Sequence, residues 1–258
     1  MTTQIKTVVG ELRPTQIMFS FGVGALVDLP HLSVLVMGLD DWHPEDGTSR
    51  KLQEDRLLQT VQQKLGSQVR ELRMPPVPPP TKSIPDPFDA ARLVGTPVAT
   101  FPRWLLCPAC QLLAPLGSGL FQFRPNPYHP DRAHYRHEGC ERAKNPTAVP
   151  ARFLVACDHG HLDDFPWIDF VHRGPTNCRS SLRLLEFGPS GEARDLVVHC
   201  ATCKAQRRMS DAFGQIGKQS MPLCRGRRPH LRDFVEEQCN RPLTAILLGA
   251  SNLWFPDV

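Results

Sequence analysis

The stretch Leu105-Leu-Cys-Pro-Ala-Cys110 places two cysteines two residues apart, directly after a short apolar run. A Cys-x-x-Cys pair lets one tight turn present two ligands to the same zinc ion. Further pairs and single cysteines follow at His137/Cys140, Cys200/Cys203, Cys224 and Cys239. Because Zn²⁺ prefers four Cys or His donors in a tetrahedron, this pattern predicts two structural zinc sites.

The eight ligands divide into two sets by their order along the chain. The first predicted site is Cys107, Cys110, His137 and Cys140, and the second is Cys200, Cys203, Cys224 and Cys239. Cys157 or His134 is the alternative to His137 in the first set, and Cys178 is the alternative to Cys239 in the second. Catalytic zinc keeps an open position for water, whereas both sets look closed, so we expect two Zn ions that stabilise the fold.

Composition and charge limit the class of protein. The chain has 258 residues, of which 41% are hydrophobic, enough for one large or two modest globular domains. Residues 1–14 contain no apolar signal region, and no run approaches the roughly 18–20 apolar residues that a membrane helix needs. We therefore expect a cytoplasmic protein without a membrane partner, where reducing conditions favour metal over disulfides. Residues 200–258 carry nine Lys or Arg against five Asp or Glu.

The hydrophobic pattern predicts an α+β fold, with mixed strands and short helices organised around two structural zinc-ribbon or knuckle units. The predicted strands are Gln16–Phe21, His31–Met37, Ala151–Cys157, Ser181–Phe187, Asp195–Cys200 and Thr244–Leu248. The predicted helices are Arg50–Leu65, Asp163–His172 with Asp163 or Asp164 as N-cap, Met209–Phe213 and Leu231–Gln238.

Composition shifts divide the chain into five segments. Seven prolines between Met74 and Pro87 block both helix and central strand. The predicted segments are an N-terminal α+β segment (1–73), a proline-rich linker or arm (74–98), a first zinc unit (99–150), a strand-turn-helix core segment (151–199) and a second zinc unit with a closing strand (200–258).

Basic residues next to the second predicted zinc site are candidate nucleic-acid contacts. They are Arg207, Arg208, Arg225, Arg227 and Arg228. The planar guanidinium donates two parallel hydrogen bonds to phosphate, and a turn pinned by metal would hold these side chains outward. The alternatives are an ordinary solvated face or pairing with an acidic patch of a partner.

The run His159-Gly-His-Leu-Asp-Asp164 offers the alternative of an enzyme. Its two histidines and two carboxylates are similar to the His-x-His-x-Asp-His ligands of metallo-β-lactamase-like hydrolases, although Asp164 stands where the last histidine would be. A metal-dependent hydrolase or nuclease would use His159, His161, Asp163 and Asp164. Carboxylates after a turn are more often helix caps, and we expect no catalytic residues here.

Several stretches together resemble the DrmB family, the accessory subunits of the bacterial DISARM anti-phage defence system. The matching stretches are Phe21-Gly-Val-Gly-Ala-Leu-Val-Asp28, Phe101-Pro-Arg-Trp-Leu-Leu-Cys-Pro-Ala-Cys110, Pro150-Ala-Arg-Phe153, His159-Gly-His-Leu-Asp-Asp-Phe-Pro-Trp167, Gly226-Arg-Arg-Pro229 and Gly249-Ala-Ser-Asn252 running into Phe255-Pro256. They extend over nearly the whole chain. Where this chain has His137-x-x-Cys140, relatives more often show two cysteines.

The resemblance implies a non-catalytic subunit that associates with the DISARM helicase, DrmA, and assists DNA binding. A DNA methyltransferase belongs to the same system, and the family has no established catalytic centre. Family members are usually longer, with a C-terminal domain that has its own cysteines, so this chain looks like the N-terminal part. A structural adaptor without DNA contact is the remaining alternative.

Overall fold

A computed structural model describes residues 7–42, 49–78, 86, 88–178, 181–188, 192–234 and 239–249. Within these ranges the chain is mostly strand, with helices α1 (Pro14–Phe19), α2 (Asp55–Leu65), α3 (Trp167–His172) and α4 (Gly214–Ser220). The strands are β1 (Leu26–Asp28), β2 (Ser33–Val36), β3 (Lys51–Leu52), β4 (Leu72–Arg73), β5 (Val98–Thr100), β6 (Trp104–Leu106), β7 (Leu112–Pro115), β8 (Phe121–Arg124), β9 (His134–His137), β10 (Thr147–Pro150), β11 (Phe153–Ala156), β12 (Leu162–Asp164), β13 (Leu182–Glu186), β14 (Leu196–Cys200), β15 (Gln206–Arg208), β16 (Arg227–Arg228), β17 (Asp233–Phe234) and β18 (Thr244–Leu247). This mixture confirms the predicted combination of strands and short helices.

An eight-stranded antiparallel sheet organises the molecule, in the order β15-β14-β13-β7-β6-β10-β9-β8. Two three-stranded sheets accompany it, with the orders β1-β2-β5 and β12-β11-β18. The connections β6–β7 and β14–β15 carry the cysteine pairs Cys107/Cys110 and Cys200/Cys203, and the connection β9–β10 carries His137 and Cys140. The sheet thereby holds several pairs of ligands in fixed positions.

The largest core lies between α3 and the strands β11, β13 and β14. Trp167 and Phe165 are each 1% exposed, and their ring centroids are 4.7 Å apart. Phe153 of β11 meets Trp167 edge-on at 5.9 Å. Burial of three aromatic rings strongly favours this packing. It also fixes the end of α3, where His172 lies.

A smaller core surrounds the β6–β7 and β9–β10 connections. Leu105, Ala114, Phe121 and Ala148 are buried there together with two of the predicted zinc ligands. The N-terminal sheet packs beside this core, because its buried residues contact the aromatic side chains of β8 and β9. Tyr135 of β9 lies 3.2 Å from Thr100 of β5, hydroxyl to hydroxyl.

Two of the predicted elements are wrong in type. Residues Pro14–Phe19 form α1 where a strand was expected, because the Arg13 backbone N–H donates to the side-chain oxygen of Gln16 at 2.9 Å and proline suits a first helical position. Residues Leu162–Asp164 form β12 and not the start of a helix. Pairing with β11 captures this segment, and α3 begins only at Trp167.

The remaining elements agree to different degrees. The predicted strands around β2, β11, β13, β14 and β18 are confirmed. The helix expected over Arg50–Leu65 is confirmed from Asp55 and wrong at its start, because Lys51–Leu52 pairs with β4 as β3. Met209–Ala212 is a 3-10 helix. The expected helix from Leu231 is wrong at its start, since β17 follows there, and residues 235–238 lie outside the described ranges.

Among the described residues, no helix is both long enough and apolar enough to cross a membrane.

Candidate metal centres

Three groups of four donor atoms form in the described part of the chain, and within each group all donors lie within 4.8 Å of one another. The first centre is Cys107, Cys110, His137 and Cys140; the second centre is Cys157, His161, Cys224 and Cys239; the third centre is His172, Cys178, Cys200 and Cys203. Each centre thus has three thiols and one imidazole. Together the centres contain all nine cysteines of the chain, each of which is free of a disulfide.

The first centre joins the two hairpin ends β6–β7 and β9–β10. The Sγ atoms of Cys107 and Cys140 are 3.9 Å apart, and the Sγ of Cys110 is 3.5 Å from the Nδ1 of His137. β6 and β9 both pair antiparallel with β10, so their last residues lie at the same edge of the sheet. The structure therefore brings together all four residues of the first predicted site.

The second centre joins the β11–β12 turn to a loop far along the chain. The Nδ1 of His161 is 3.4 Å from the Sγ of Cys157 and 3.6 Å from that of Cys224. Cys157 also lies 3.9 Å from Cys239, sulfur to sulfur. His161 and Cys224 are buried. The two cysteines from the loop are held by backbone hydrogen bonds between Cys224 and residues 240 and 241.

The third centre joins the end of α3 to the β14–β15 turn. The Nε2 of His172 lies 3.2 Å from the Sγ of Cys203, and Cys178 lies 3.6 Å from Cys200, sulfur to sulfur. The Nδ1 of His172 donates to the carbonyl oxygen of Ile168 at 2.7 Å. This bond orients the ring and leaves Nε2 as the donor toward a metal, an arrangement common around protein-bound zinc.

The second predicted site does not form as a group of four. Cys200 and Cys203 belong to the third centre, while Cys224 and Cys239 belong to the second. The reason is that Cys200 ends β14 in the large sheet, whereas Cys224 lies against the separate sheet of β11 and β12. Cys178, the alternative to Cys239, does lie next to Cys200. Cys157, the alternative to His137, lies in the second centre.

Four residues of the second and third centres were in neither of the two zinc sites predicted from the sequence: Cys157, His161, His172 and Cys178. Cys157 and His161 have a wider spacing than the Cys-x-x-Cys pairs, and His159 together with His161 suggested hydrolase chemistry. Their signal is the glycine between them, because Gly160 has φ of 76° and lets the turn bring both donors together. His172 and Cys178 have no local motif, since one ends a helix and the other stands in a loop.

The Cys-x-x-Cys turns at the first and third centres share one backbone conformation. The N–H of Cys107 and that of Cys200 each donate, at 2.8 Å, to the carbonyl five residues later. The N–H groups of Gln111 and Lys204 donate back to the carbonyls of these cysteines at 2.8 and 3.2 Å. Gln111 and Lys204 are both left-handed, with φ of 63° and 64°. Such turns direct backbone N–H groups at the sulfurs and favour thiolates.

The separations of the donors fit a tetrahedral zinc ion. Zn–S bonds of about 2.3 Å and Zn–N bonds of about 2.0 Å imply donors about 3.5–3.8 Å apart in a tetrahedron. The individual pairs measured above span 3.2–3.9 Å. Three thiols and an imidazole form the soft donor set that zinc accepts, and all four positions are taken by protein.

The thiols of the three centres differ in how readily they ionise. Burial raises the pKa of Cys107 to about 11 and that of Cys224 to about 12, and neighbouring thiols add to both shifts. Burial also opposes ionisation of Cys200, but hydrogen bonds from Cys203 outweigh it and lower the pKa of Cys200 to about 6. Burial lowers the pKa of His137 and His161, which favours the neutral imidazole that binds metal.

The carboxylates of the His159–Asp164 run are held by arginines and lie outside the three centres. Asp163 forms ion pairs with Arg225 at 2.5 Å and with Arg227 at 3.2 Å. Asp164 accepts from the backbone N–H of Arg103 at 2.6 Å and from its side chain at 2.9 Å. Burial raises the pKa of Asp164, and the bonds to Arg103 oppose this shift.

The predicted four-residue hydrolase site is therefore not assembled. Its histidines face sulfur, since the Nδ1 of His159 lies 3.8 Å from the Sγ of Cys239 and His161 is in the second centre. Its carboxylates face guanidinium groups. Among the described residues, the groups with metal-binding geometry contain neither Asp163 nor Asp164.

The five candidate arginines lie in different environments. Arg207 is 5% exposed, its guanidinium lies 4.4 Å from the centre of the Phe170 ring, and it donates to the Phe170 carbonyl at 3.2 Å. The expectation that Arg207 points outward is wrong, because it packs inside between β15 and α3. Arg225 and Arg227 bind Asp163. Arg208 and Arg228 are exposed.

Comparison with known proteins identifies the family. The model of a family described as a domain of unknown function, DUF8724, matches residues 13–255. The chain belongs to this family. It is also 31% identical over 163 residues to the DISARM protein DrmB of Bacillus paralicheniformis, in a match that covers 62% of this chain and 27% of the relative. The resemblance to DrmB inferred from the sequence is thereby confirmed, and the matched part spans about a quarter of that relative.

Proposed function

We propose that this chain is a non-catalytic, zinc-containing part of a DISARM defence subunit, which associates with the helicase DrmA and assists DNA binding. Similarity to DrmB supports the defence system. The observation that carries the structural role is the presence of three complete four-donor groups with separations suited to zinc. Closed sites stabilise a fold, and the cell interior, where such defence acts, keeps thiols available for metal.

Zinc would join parts of the chain that lie far apart in the sequence and pack against one core. The second centre ties the β11–β12 turn to Cys224 and Cys239, and the third ties α3 to the β14–β15 turn. The residues around these ligands include exposed arginines, above all Arg208 and Arg228. A scaffold fixed by metal would hold these charges in place against the phosphates of DNA.

Co-expression with the DISARM helicase tests the association. We expect the zinc-loaded chain to co-purify with DrmA as a complex in native mass spectrometry, and the complex to bind DNA more tightly than the helicase alone. A helicase that binds DNA equally well without this chain contradicts the DNA-binding role. A chain that never co-purifies with the helicase contradicts the association.

An adaptor without DNA contact is the second candidate, favoured by two observations. Arg207 is buried, and Arg225 and Arg227 bind Asp163, which leaves fewer of the predicted arginines for phosphate. Met18 and Phe19 of α1 are 65% and 79% exposed, and exposed apolar side chains of this size suit a protein partner. This candidate predicts that Met18→Ser with Phe19→Ser weakens helicase association and leaves DNA affinity unchanged.

A further inference from the structure

A basic cleft of about 450 Å³ lies where the end of β13 faces β14 and β15. The described residues that line it include four arginines and two aspartates, namely Arg173, Arg194, Arg207, Arg208, Asp195 and Asp211. Asp211 is engaged by Arg207 at 3.5 Å. Arg173, Arg194 and Arg208 are all exposed, and Arg194 pairs with Glu192 at 2.8 Å. The arginines of the lining outnumber its aspartates, so the cleft has a net positive charge.

An exposed aromatic ring stands in the same cleft. Phe187 is 71% exposed, although its backbone is fixed by a hydrogen bond from its N–H to the carbonyl oxygen of Asp195 at 2.9 Å. Phenylalanine gains nothing from water at this position, whereas a flat apolar ring beside cationic side chains is the combination that binds unpaired bases. The core aromatic residues Phe165 and Trp167 are 1% exposed and offer no such surface.

The third centre holds the two walls of the cleft together. Arg173 directly follows the ligand His172, and its left-handed backbone, with φ of 61°, ends α3. Arg208 ends β15, the strand that follows the ligand turn Cys200–Cys203 and forms one edge of the large sheet. Gln206 and Arg208 alternate with buried Arg207, so both point to the solvent side of β15.

We propose that this cleft binds a single strand of nucleic acid, with one base stacked on Phe187 and the adjacent phosphates contacted by Arg173, Arg194 and Arg208. This assignment rests on the DNA-binding part of the proposed function and specifies where and in which form DNA binds. A duplex presents only its stacked interior bases and its backbone, so it would use the arginines without using the ring. Phe187 is therefore the residue whose contribution should differ between single-stranded and duplex nucleic acid.

The test compares two exposed phenylalanines and two sets of exposed arginines. Phe187→Ala removes the ring in the cleft, and Phe88→Ala is its matched control, because Phe88 is 70% exposed elsewhere on the chain. Arg194→Ala with Arg208→Ala removes two cleft charges, and Arg56→Ala on α2 is the control. Arg228→Ala tests the exposed arginine that lies outside the cleft. Fluorescence anisotropy of the zinc-loaded chain would use single-stranded DNA and RNA of about 20 nucleotides and a duplex of equal length.

We expect Phe187→Ala to weaken binding of single-stranded DNA about tenfold with an unchanged salt slope, and to leave duplex binding unaltered. Arg194→Ala with Arg208→Ala should lower the slope of log affinity against log salt by about 1.4, since each phosphate contact contributes about 0.7 for single strands. Equal affinity for RNA of the same length would show that the cleft accepts either sugar and would support the proposal.

Three results would overturn it. If the Phe187→Ala and Phe88→Ala variants bind equally well, Phe187 does not stack on a base. If Phe187→Ala weakens duplex and single-strand binding equally, the cleft binds a duplex and not a single strand. A loss confined to Arg228→Ala places the DNA contact elsewhere, so the cleft is wrong while the proposed function stands. If the unaltered chain binds no oligonucleotide, both the cleft and the DNA role of this chain fail. Each variant should retain the zinc content of the unaltered chain, because the changed side chains are exposed.

Discussion

Asp163 shows how one residue takes its role from its neighbours and not from its motif. Its side chain is 10% exposed and pairs with Arg227, which is 13% exposed, and with Arg225. Burial lowers the pKa of Arg227 while Asp163 raises it, so the carboxylate is what keeps this buried guanidinium favourable as a cation. The pair also connects β12, which begins after His161, to β16, which begins after Cys224. Asp163 therefore supports the second centre from outside its ligand set.

Replacing Asp163 should destabilise the fold. Asp163→Asn removes the carboxylate that pairs with the buried Arg227, so we expect the free energy of unfolding to fall by about 2–3 kcal/mol in urea denaturation at fixed excess zinc. Glu192→Gln is the control, because Glu192 is 55% exposed in its ion pair with Arg194, and surface pairs contribute about 0–1 kcal/mol. Equal effects from both substitutions would contradict the structural role of Asp163.

Ionisation of individual thiols predicts how zinc release depends on pH. A thiol whose pKa is about 11 or 12, such as Cys107 or Cys224, is protonated at neutral pH and must lose a proton to bind zinc. Each displaced proton makes zinc affinity fall about tenfold per pH unit as the pH falls. Cys200, whose pKa is about 6, is already mostly a thiolate at pH 7 and adds no such dependence until the pH approaches 6.

Cys140 of the first centre and Cys157 of the second have a lowered pKa, like Cys200 of the third, because hydrogen bonds to their sulfurs outweigh burial. On lowering the pH from 9 to about 6, we therefore expect the zinc affinity to fall at the first and second centres as protons return to Cys107 and Cys224. A chromogenic zinc chelator would follow release, and variants that lack one ligand of each centre would assign the steps. A zinc affinity at the first and second centres that stays constant from pH 9 to 6 would contradict this dependence.

At the scale of elements, the turns that carry ligands depend on left-handed residues. Gly139 and Gly160, with φ of 74° and 76°, lie inside the turns of the first and second centres, and a Cβ at either position would meet no atom within 4 Å. A side chain at either position would not clash with another residue, so only the left-handed backbone conformation disfavours it. A substitution at either glycine therefore tests the backbone conformation of the turn without changing side-chain packing.

Gly160 offers the cleaner test of this point. Gly160→Val should weaken zinc binding at the second centre about tenfold, because a left-handed β-branched residue costs about 1–2 kcal/mol or more. Gly160→Asn should have a much smaller effect, since asparagine tolerates this conformation. Competition titrations against a zinc chelator measure both. Equal losses from valine and asparagine would mean that the side chain, and not the backbone, causes the effect.

The elements also show which parts of the site could be predicted from sequence. Cys107 and Cys110, and likewise Cys200 and Cys203, were correctly expected to be close, because a turn of two intervening residues fixes both donors locally. Which distant residues complete each centre depends on strand order and on the position of α3. Spacing contains no information on either, so His172 was not proposed as a ligand.

At the scale of the whole molecule, the three centres account for the composition of the chain. Nine cysteines and three histidines divide into three equal donor sets, which resolves the odd cysteine number that pairing by disulfides would leave unexplained. The α+β class and the strands β2, β11, β13, β14 and β18 followed from the hydrophobic pattern. β12 and α1 did not, since tertiary pairing and capping outweighed the local pattern. The number of centres could be established only from the arrangement in three dimensions.

The number of zinc ions per chain tests this account most directly. Native mass spectrometry of the purified chain should show three zinc ions, and His172→Ala should reduce the number to two while the first and second centres keep theirs. His199→Ala is the matched control, because His199 lies in β14 outside the three centres. Two zinc ions on the unaltered chain, with none lost in the His172→Ala variant, would contradict the third centre and restore the two-site grouping.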